Sequence, residues 1–161
     1  MTDSHNPIID SSLMDKSSQI DQWQRDGYVI STRRDRLDYV AIHHFLTHSY
    51  WASGISLEQV RQSIDHSFPF GVYVEDQLIG FARVITDYTT YAYLADVFIL
   101  ESYRGRGLGS WLVETVLAHG RLQGLRGWGL KTIDAAEFYQ RFGFRMMNGP
   151  AAYLNRAAVV R

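Results

Sequence analysis

The sequence predicts an α/β fold in which helices flank a central sheet. Its 161 residues are about the size of one domain, and 46% of them are hydrophobic, which is enough for one packed core. Strand and helix patterns follow one another in the order β, α, α, β, β, β, α, β, α, β, β. A glycine-rich segment separates the longest predicted strand from the helix that follows it.

The first half of the chain predicts a tail, one strand and two helices. Residues 1–26 are polar and serine-rich, so we expect a flexible tail ahead of a single domain that spans residues 27–161. The segment GYVISTRR favours a strand, and RLDYVAIHHFLTHSYW and SLEQVRQSIDHS both have apolar residues near helical spacing. Ser56 and Glu58 suit the start of the second helix.

The second half predicts a hairpin, a longer strand and a helix, followed by shorter elements. Residues 70–87 read as two β segments around the turn EDQ, and YAYLADVFIL is a mostly apolar strand. A helix over residues 107–120 is indicated by the apolar face of Leu108, Trp111, Leu112, Thr115 and Val116. GWGLKTID favours a strand, AAEFYQRFG a short helix that ends at Gly143, and FRMM and AYLNR two last strands.

Composition and charge exclude several classes of function. Sixteen Lys and Arg against 17 Asp and Glu give a formal charge of -1, so we expect neither nucleic acid nor a membrane as partner. The absence of cysteine excludes a disulfide framework, a thiolate metal cluster and a thiol nucleophile. No apolar run approaches the ~20 residues of a membrane helix, and a signal layout is lacking, so we expect a cytoplasmic protein with a small partner.

The segment ESYRGRGLGSWL, residues 101–112, is the first candidate site. Gly105, Gly107 and Gly109 remove side chains from one side of a turn, so backbone N–H groups can approach a ligand and a positive φ costs little. The unpaired N–H groups of the following helix point the same way and attract anions. The loop therefore predicts a phosphate site, with an ordinary strand-to-helix turn as the alternative.

Three glycine-rich patterns compete for this loop. A dinucleotide G-x-G-x-x-G counted from Gly105 requires a third glycine where Ser110 stands, and a P-loop requires a lysine that is absent between Lys16 and Lys131. RGRGLG does match R/Q-x-x-G-x-G/A, and so resembles the pyrophosphate loop of the GNAT superfamily of acyl-CoA-dependent N-acyltransferases. The three defined positions of this pattern are then occupied by Arg104, Gly107 and Gly109.

A second element strengthens the resemblance to the GNAT superfamily. Residues 138–144, FYQRFGF, are similar to its L-Y-x-x-x-G-F element, and Thr132 stands where many members carry asparagine. The resemblance covers most of the chain from about residue 28. It implies a GNAT-type mixed, mainly antiparallel central sheet flanked by helices.

The resemblance implies acetyl-CoA as the acyl donor. Its pyrophosphate would lie on the N–H groups of residues 105–110, and its pantetheine arm would run beside the preceding strand, where an N–H near Val97 could stabilise an oxyanion. Arg104 and Arg106 either add charge or are ordinary solvated loop residues. The cofactor-binding residues implied are Val97, Phe98, Ile99, Arg104, Gly105, Arg106, Gly107, Leu108, Gly109, Ser110 and Thr132.

Two residues are candidates for catalysis. The position of Tyr139 in the second element implies a general acid that protonates the departing thiolate. Asp96 interrupts an apolar strand, where a carboxylate must be paired, hydrated or functional. It either pairs with Arg83 of the neighbouring strand, or deprotonates an amine or docks a cationic substrate, a role that Tyr93 could share unless it is a core aromatic.

The acceptor pocket implied by the resemblance lies between the first two helices and the central strands. Tyr50 and Trp51 there either form an aromatic wall that holds an ammonium, worth roughly 0.5–2 kcal/mol, or pack in the core. His44 and His48 are spaced i, i+4, but they lack the glutamate of H-E-x-x-H, so we expect no metal site.

The predicted function is acetyl transfer from acetyl-CoA to a primary amine of a small molecule or peptide. Transfer should be direct, in a ternary complex, because the chain has no cysteine to carry an acyl group. The alternative is a non-catalytic module of the same fold that binds or senses acyl-CoA, which would need neither Tyr139 nor Asp96. We also allow for a homodimer.

Overall fold

The computed structural model describes residues 21–147, which divide into two compact units on either side of the Leu130–Lys131 bond. The first unit contains one six-stranded sheet. Its strands are β1 (Gln22–Arg25), β2 (Tyr28–Ser31), β3 (Phe68–Val74), β4 (Gln77–Thr86), β5 (Tyr91–Ile99) and β6 (Gly127–Gly129). The strands lie in chain order, and each neighbouring pair is antiparallel except β5 and β6, which are parallel. The mixed, mainly antiparallel sheet is therefore confirmed.

Three helices flank the sheet within the first unit, and a fourth lies in the second unit. They are α1 (Tyr39–Thr47), α2 (Leu57–Asp65), α3 (Leu108–Ala118) and α4 (Ala136–Gln140). The side chain of Ser56 caps α2 as predicted, but its reciprocal partner is Gln59, not Glu58. Among residues 21–147, no helix has both the length and the apolar character of a membrane span.

The sheet begins inside the segment predicted to be a tail. β1 pairs with β2 across a two-residue turn, because Arg25 lies opposite Tyr28. Asp26 and Gly27 in that turn have φ values of +50° and +81°, the pattern of a type I′ hairpin turn, for which Asp-Gly is a strong signal. The tail boundary at residue 26 was therefore wrong for residues 22–25; residues 1–20 lie outside the described part.

The end of the chain also departs from prediction. The predicted strand FRMM, residues 144–147, has no regular secondary structure, so this prediction was wrong. Gly143 has a φ of +88°, as expected for a glycine that follows a helix. The predicted strand AYLNR lies outside the described residues.

The two faces of the sheet are covered by different helices. Phe81 and Phe98 lie opposite each other and share a buried cluster with Ile42 of α1 and Val60 of α2. Side chains alternate along a strand, so the neighbour of Phe81, Ala82, faces the other side of the sheet, where α3 contacts β3 and β5.

His119 joins the end of α3 to the start of the sheet. Its side chain is buried, its Nδ1 accepts the Arg121 N–H at 3.1 Å, and its Nε2 lies 2.6 Å from a carboxylate oxygen of Asp21. Burial lowers the pKa of His119 below its usual value, although Asp21 acts in the opposite direction. The folded protein therefore holds this ring in the neutral form.

We predict that His119→Gln weakens the dependence of stability on pH. Well above pH 6.5 the ring is neutral in both states. As the pH falls through this value the unfolded chain gains the proton before the folded protein does, so stability is lost over this range. Urea unfolding at about pH 7.5 and about pH 5.5 should show the wild type losing up to about 1 kcal/mol more than the variant. His66→Gln, which replaces an exposed histidine, is the control; equal losses in wild type and His119→Gln would contradict the prediction.

Candidate functional site

The glycine loop forms an open backbone cradle at the start of α3. Gly105 and Gly107 both have a φ of +74°, and a Cβ at Gly105 would meet no atom within 4 Å. The first hydrogen bond of α3 runs from the Trp111 N–H to the Gly107 carbonyl at 3.0 Å. The helix itself therefore does not use the N–H groups of Leu108 and Gly109, which lie at its positive end.

Arginines surround this cradle and are held in place by the protein. Arg104 donates from Nε to the Ile99 carbonyl at 3.0 Å, which ties the loop to the end of β5. Arg106 donates to the Tyr28 hydroxyl at 2.8 Å and to the Ser102 carbonyl at 3.2 Å. Both side chains thus make contacts within the fold instead of extending freely into solvent.

A third arginine at the cradle was missed by the sequence analysis. Arg25 of β1 donates to the Gly107 carbonyl at 3.2 Å, and its guanidinium lies 4.9 Å from the centre of the Trp111 ring. The contact joins residues 82 positions apart, so no local pattern around Gly107 indicates it. The Asp-Gly hairpin signal next to Arg25 was the available clue to its strand.

β5 contains a β-bulge where the predicted pantetheine-binding residues lie. Arg83 pairs with Ala95 and Phe81 pairs with Phe98, so Asp96 and Val97 on β5 lie opposite one residue of β4. β6 pairs with β5 only as far as Tyr93. Within residues 21–147, the second edge of β5 beyond Tyr93 therefore has no strand beside it, and Val97, Phe98 and Ile99 lie on that stretch.

Asp96 adopts a backbone conformation that is rare for its residue type. Its φ is +54°, in the left-handed region, and its position at the bulge removes it from the regular alternation of side chains. Its carboxylate consequently reaches Arg83, with Oδ2 2.5 Å from the guanidinium Nε. The two side chains are 9% and 14% exposed, respectively, so the ion pair offered as one explanation of Asp96 is present and largely buried.

Trp51 is the second side chain that contacts this carboxylate. Its indole N–H donates to the other carboxylate oxygen of Asp96 at 3.2 Å. Trp51 remains 43% exposed and Tyr50 50% exposed, and their ring centroids are 5.0 Å apart. Tyr93 pairs with Ile85 and so faces the same side of the sheet as Arg83, two positions away on β4. The structure thus brings Trp51 to Asp96 and puts Tyr93 on the same face.

Tyr139 and Thr132 lie in the second unit, and each makes contacts within that unit. Tyr139 lies on α4, with its ring centroid 4.9 Å from that of Phe138 and 6.0 Å from that of Phe144. The Thr132 hydroxyl accepts the Ala135 N–H at 3.1 Å. Thr132 therefore caps the turn that leads into α4, a role that threonine performs readily.

Comparison with known proteins identifies the family. The model of the acetyltransferase (GNAT) family matches residues 19–144, most of the chain. This chain belongs to the GNAT family of acetyltransferases. A GNAT-family protein of known structure from Xanthomonas campestris pv. campestris, provisionally named an acetyltransferase, is 43% identical; the match has a TM-score of 0.78 and covers 81% of this chain and 93% of the other.

Two further relatives are more distant in sequence. A provisionally named acetyltransferase of Gibberella zeae is 28% identical over 126 residues, which are 66% of this chain and 68% of that protein. An uncharacterized N-acetyltransferase of Gracilaria tenuistipitata var. liui is 26% identical over 148 residues, 87% of this chain and 81% of that protein. Family membership and these names support a transferase activity.

We predict that Asp96→Ala destabilises the fold much more than Asp96→Asn. Alanine leaves the guanidinium of Arg83 buried without its partner, which typically costs about 3–5 kcal/mol. Asparagine also removes the negative charge, but it tolerates a left-handed φ and its one amide oxygen can still accept a hydrogen bond from Arg83, so its cost should be lower than that of alanine by about 1–2 kcal/mol.

Urea denaturation of the variants measures this difference. Asp35→Ala, which breaks an exposed pair with Arg33, is the matched control and should barely change the free energy of unfolding, because solvent screens this pair. Equal destabilisation by Ala and Asn at position 96 would contradict the prediction, because it would show that the retained hydrogen bond and the tolerance of a left-handed φ contribute little.

Proposed function

We propose that this protein is an N-acetyltransferase that moves the acetyl group of acetyl-CoA to a primary amine of a small molecule or peptide. The observation that carries the proposal is the open glycine cradle at the start of α3, directly after the interrupted edge of β5. Members of the GNAT family generally use acetyl-CoA. We propose direct transfer in a ternary complex, because the chain contains no cysteine to carry the acetyl group.

The residues of the first unit fit the chemistry of acetyl-CoA. The cradle over residues 105–110 offers backbone N–H groups at a helix N-terminus to the pyrophosphate, with Arg25, Arg104 and Arg106 as nearby positive charges. The open edge of β5 offers the backbone of Val97, Phe98 and Ile99 to the amides of the pantetheine arm. A further contact of Thr132 with acetyl-CoA stays a prediction.

When bound, acetyl-CoA supplies an activated thioester, whose C–S bond breaks as the C–N bond forms, while the amine loses one proton and the sulfur gains one. The backbone N–H of Val97, at the bulge, is assigned to stabilising negative charge on the carbonyl oxygen. Both carboxylate oxygens of Asp96 already accept a hydrogen bond. We therefore assign Asp96 to docking the amine and not to abstracting its proton.

Tyr139 is assigned to the departing sulfur. A tyrosine phenol ordinarily has a pKa of about 10 and a thiol one of about 8.5, so complete proton transfer from tyrosine to a thiolate is uphill by about 2 kcal/mol. A step of this size is still accessible, so Tyr139 passes its proton to the sulfur while the C–S bond breaks, and water then returns a proton to the phenolate. Cytoplasmic location and a homodimer stay predictions.

We predict that Gly107→Glu abolishes acetyl-CoA binding. The substitution puts a side chain and a negative charge into the cradle, and each charge-assisted hydrogen bond lost costs about 1.5–3 kcal/mol, so the affinity should fall about 100-fold or more. Gly124→Glu is the matched control, because Gly124 also has a positive φ, +76°, and open space around it, yet lies outside the loop. Calorimetry in which Gly107→Glu binds as tightly as Gly124→Glu would refute the cradle as the pyrophosphate site.

We predict that Tyr139→Phe lowers kcat by about 10² to 10⁴, the usual contribution of a positioned acid. The affinity for acetyl-CoA should barely change, because one hydroxyl contributes little beside the cradle. Tyr88→Phe, which alters an exposed tyrosine before β5, is the control. The release of the CoA thiol measures kcat, and calorimetry measures the affinity for acetyl-CoA. A wild-type kcat in Tyr139→Phe would refute the assignment of Tyr139 as the acid. If the protein binds acetyl-CoA but acetylates no amine, it is the binding or sensing module that is the alternative function.

A further inference from the structure

The ion pair of Arg83 and Asp96 has hydrogen-bonding capacity that the fold does not use. Arg83 employs only its Nε, and within residues 21–147 its two terminal nitrogens have no hydrogen-bond partner. Each oxygen of Asp96 accepts one hydrogen bond and has room for another. A largely buried pair thus presents unused donors on one member and unused acceptor positions on the other.

The charges of this pair select for a particular kind of ligand. A simple ammonium attracted to Asp96 is also repelled by the adjacent Arg83, so the pair gives a plain amine little net attraction. In a molecule that carries both groups, the ammonium is attracted to Asp96 and the carboxylate is attracted to Arg83. The two terminal nitrogens of a guanidinium also match the two oxygens of a carboxylate in geometry.

We propose that Arg83 and Asp96 dock a zwitterionic acceptor of the α-amino acid class. Arg83 binds the carboxylate through its two terminal nitrogens, and Asp96 binds the amino group. The inference rests on the proposed function, because Asp96 adjoins Val97, the residue assigned to the reacting carbonyl. Transfer converts the amino group into a neutral amide and releases one proton and the CoA thiol; the product then lacks the charge that Asp96 holds, which favours its release.

The surroundings of the pair indicate the side chain of this acceptor. Trp51 and Tyr50 are 43% and 50% exposed, and Ile85, which faces the same side as Arg83, is 45% exposed. Aromatic and aliphatic surface beside a docked amino acid favours an apolar or aromatic side chain. Among the common amino acids, phenylalanine is therefore a suitable probe.

The first test compares three acceptors with the wild-type protein. L-phenylalanine carries both charges, L-phenylalaninamide keeps its shape without the carboxylate, and 2-phenylethylamine lacks the carboxyl group altogether. We expect kcat/KM for L-phenylalanine to exceed that for the other two by about 100-fold or more, because a site built for a polar group rejects analogues that lack it. Equal values for the three compounds would overturn the proposal.

The second test changes Arg83. In Arg83→Gln the preference for L-phenylalanine over L-phenylalaninamide should fall to within a few-fold of unity, and Arg83→Lys should retain part of it. The double variant Arg83→Gln/Asp96→Asn avoids leaving one buried charge alone and should lose the preference while staying folded. Arg33→Gln, which breaks the exposed pair with Asp35, should keep it. Persistence of the preference in both Arg83→Gln and the double variant would overturn the proposal.

Binding measurements separate this inference from the proposed function. If no probe is acetylated, calorimetry of L-phenylalanine with CoA-saturated protein decides: saturable binding that Arg83→Gln abolishes supports the docking site, and absence of binding overturns it. A protein that binds no acetyl-CoA refutes the proposed function itself. A protein that acetylates 2-phenylethylamine as efficiently as L-phenylalanine refutes only the inference about the acceptor.

Discussion

The β-bulge of β5 at Asp96 and Val97 is the constraint on which the arrangement of side chains around Asp96 depends. Two residues of β5 oppose one residue of β4 there, and the left-handed conformation of Asp96 costs a non-glycine residue about 1–3 kcal/mol. The ion pair with Arg83 and the hydrogen bond from Trp51 offset this cost. In an unbroken strand, alternation would direct the carboxylate to the opposite face from Arg83.

The cradle depends on a different principle, because it is made of backbone. A glycine loop has no side chains with which to fix its own shape, and neighbouring elements fix it instead. Arg104 binds it to the end of β5, Arg25 holds the Gly107 carbonyl from β1, and Arg106 reaches Tyr28 of β2. Donors held in this way are ready for an anion without further ordering, and so retain more of the binding energy. The same arginines also add positive charge where a pyrophosphate would lie.

Much of the fold could be predicted because its signals are local. The glycine spacing at 105–109 indicated both the start of α3 and the left-handed turns, and Ser56 marked the start of α2. The errors have local causes as well. Polar composition concealed β1, although Asp26 and Gly27 carried a hairpin signal, and residues 144–147 have a strand-like composition but no regular secondary structure. Composition alone cannot show whether a partner strand is present.

The sequence by itself indicated the family and the glycine loop, because both depend on residues only a few positions apart, and the resemblance to the family then implied the mixed sheet. Tertiary structure decided what surrounds Asp96. The contacts from Arg83 and Trp51 span 13 and 45 positions, and that from Arg25 to the cradle spans 82. The left-handed φ of Asp96 belongs to a residue type for which it is uncommon, so it exists only because these distant side chains hold it. Such a conformation is a property of the packed sheet and its neighbours, and no short stretch of the chain encodes it.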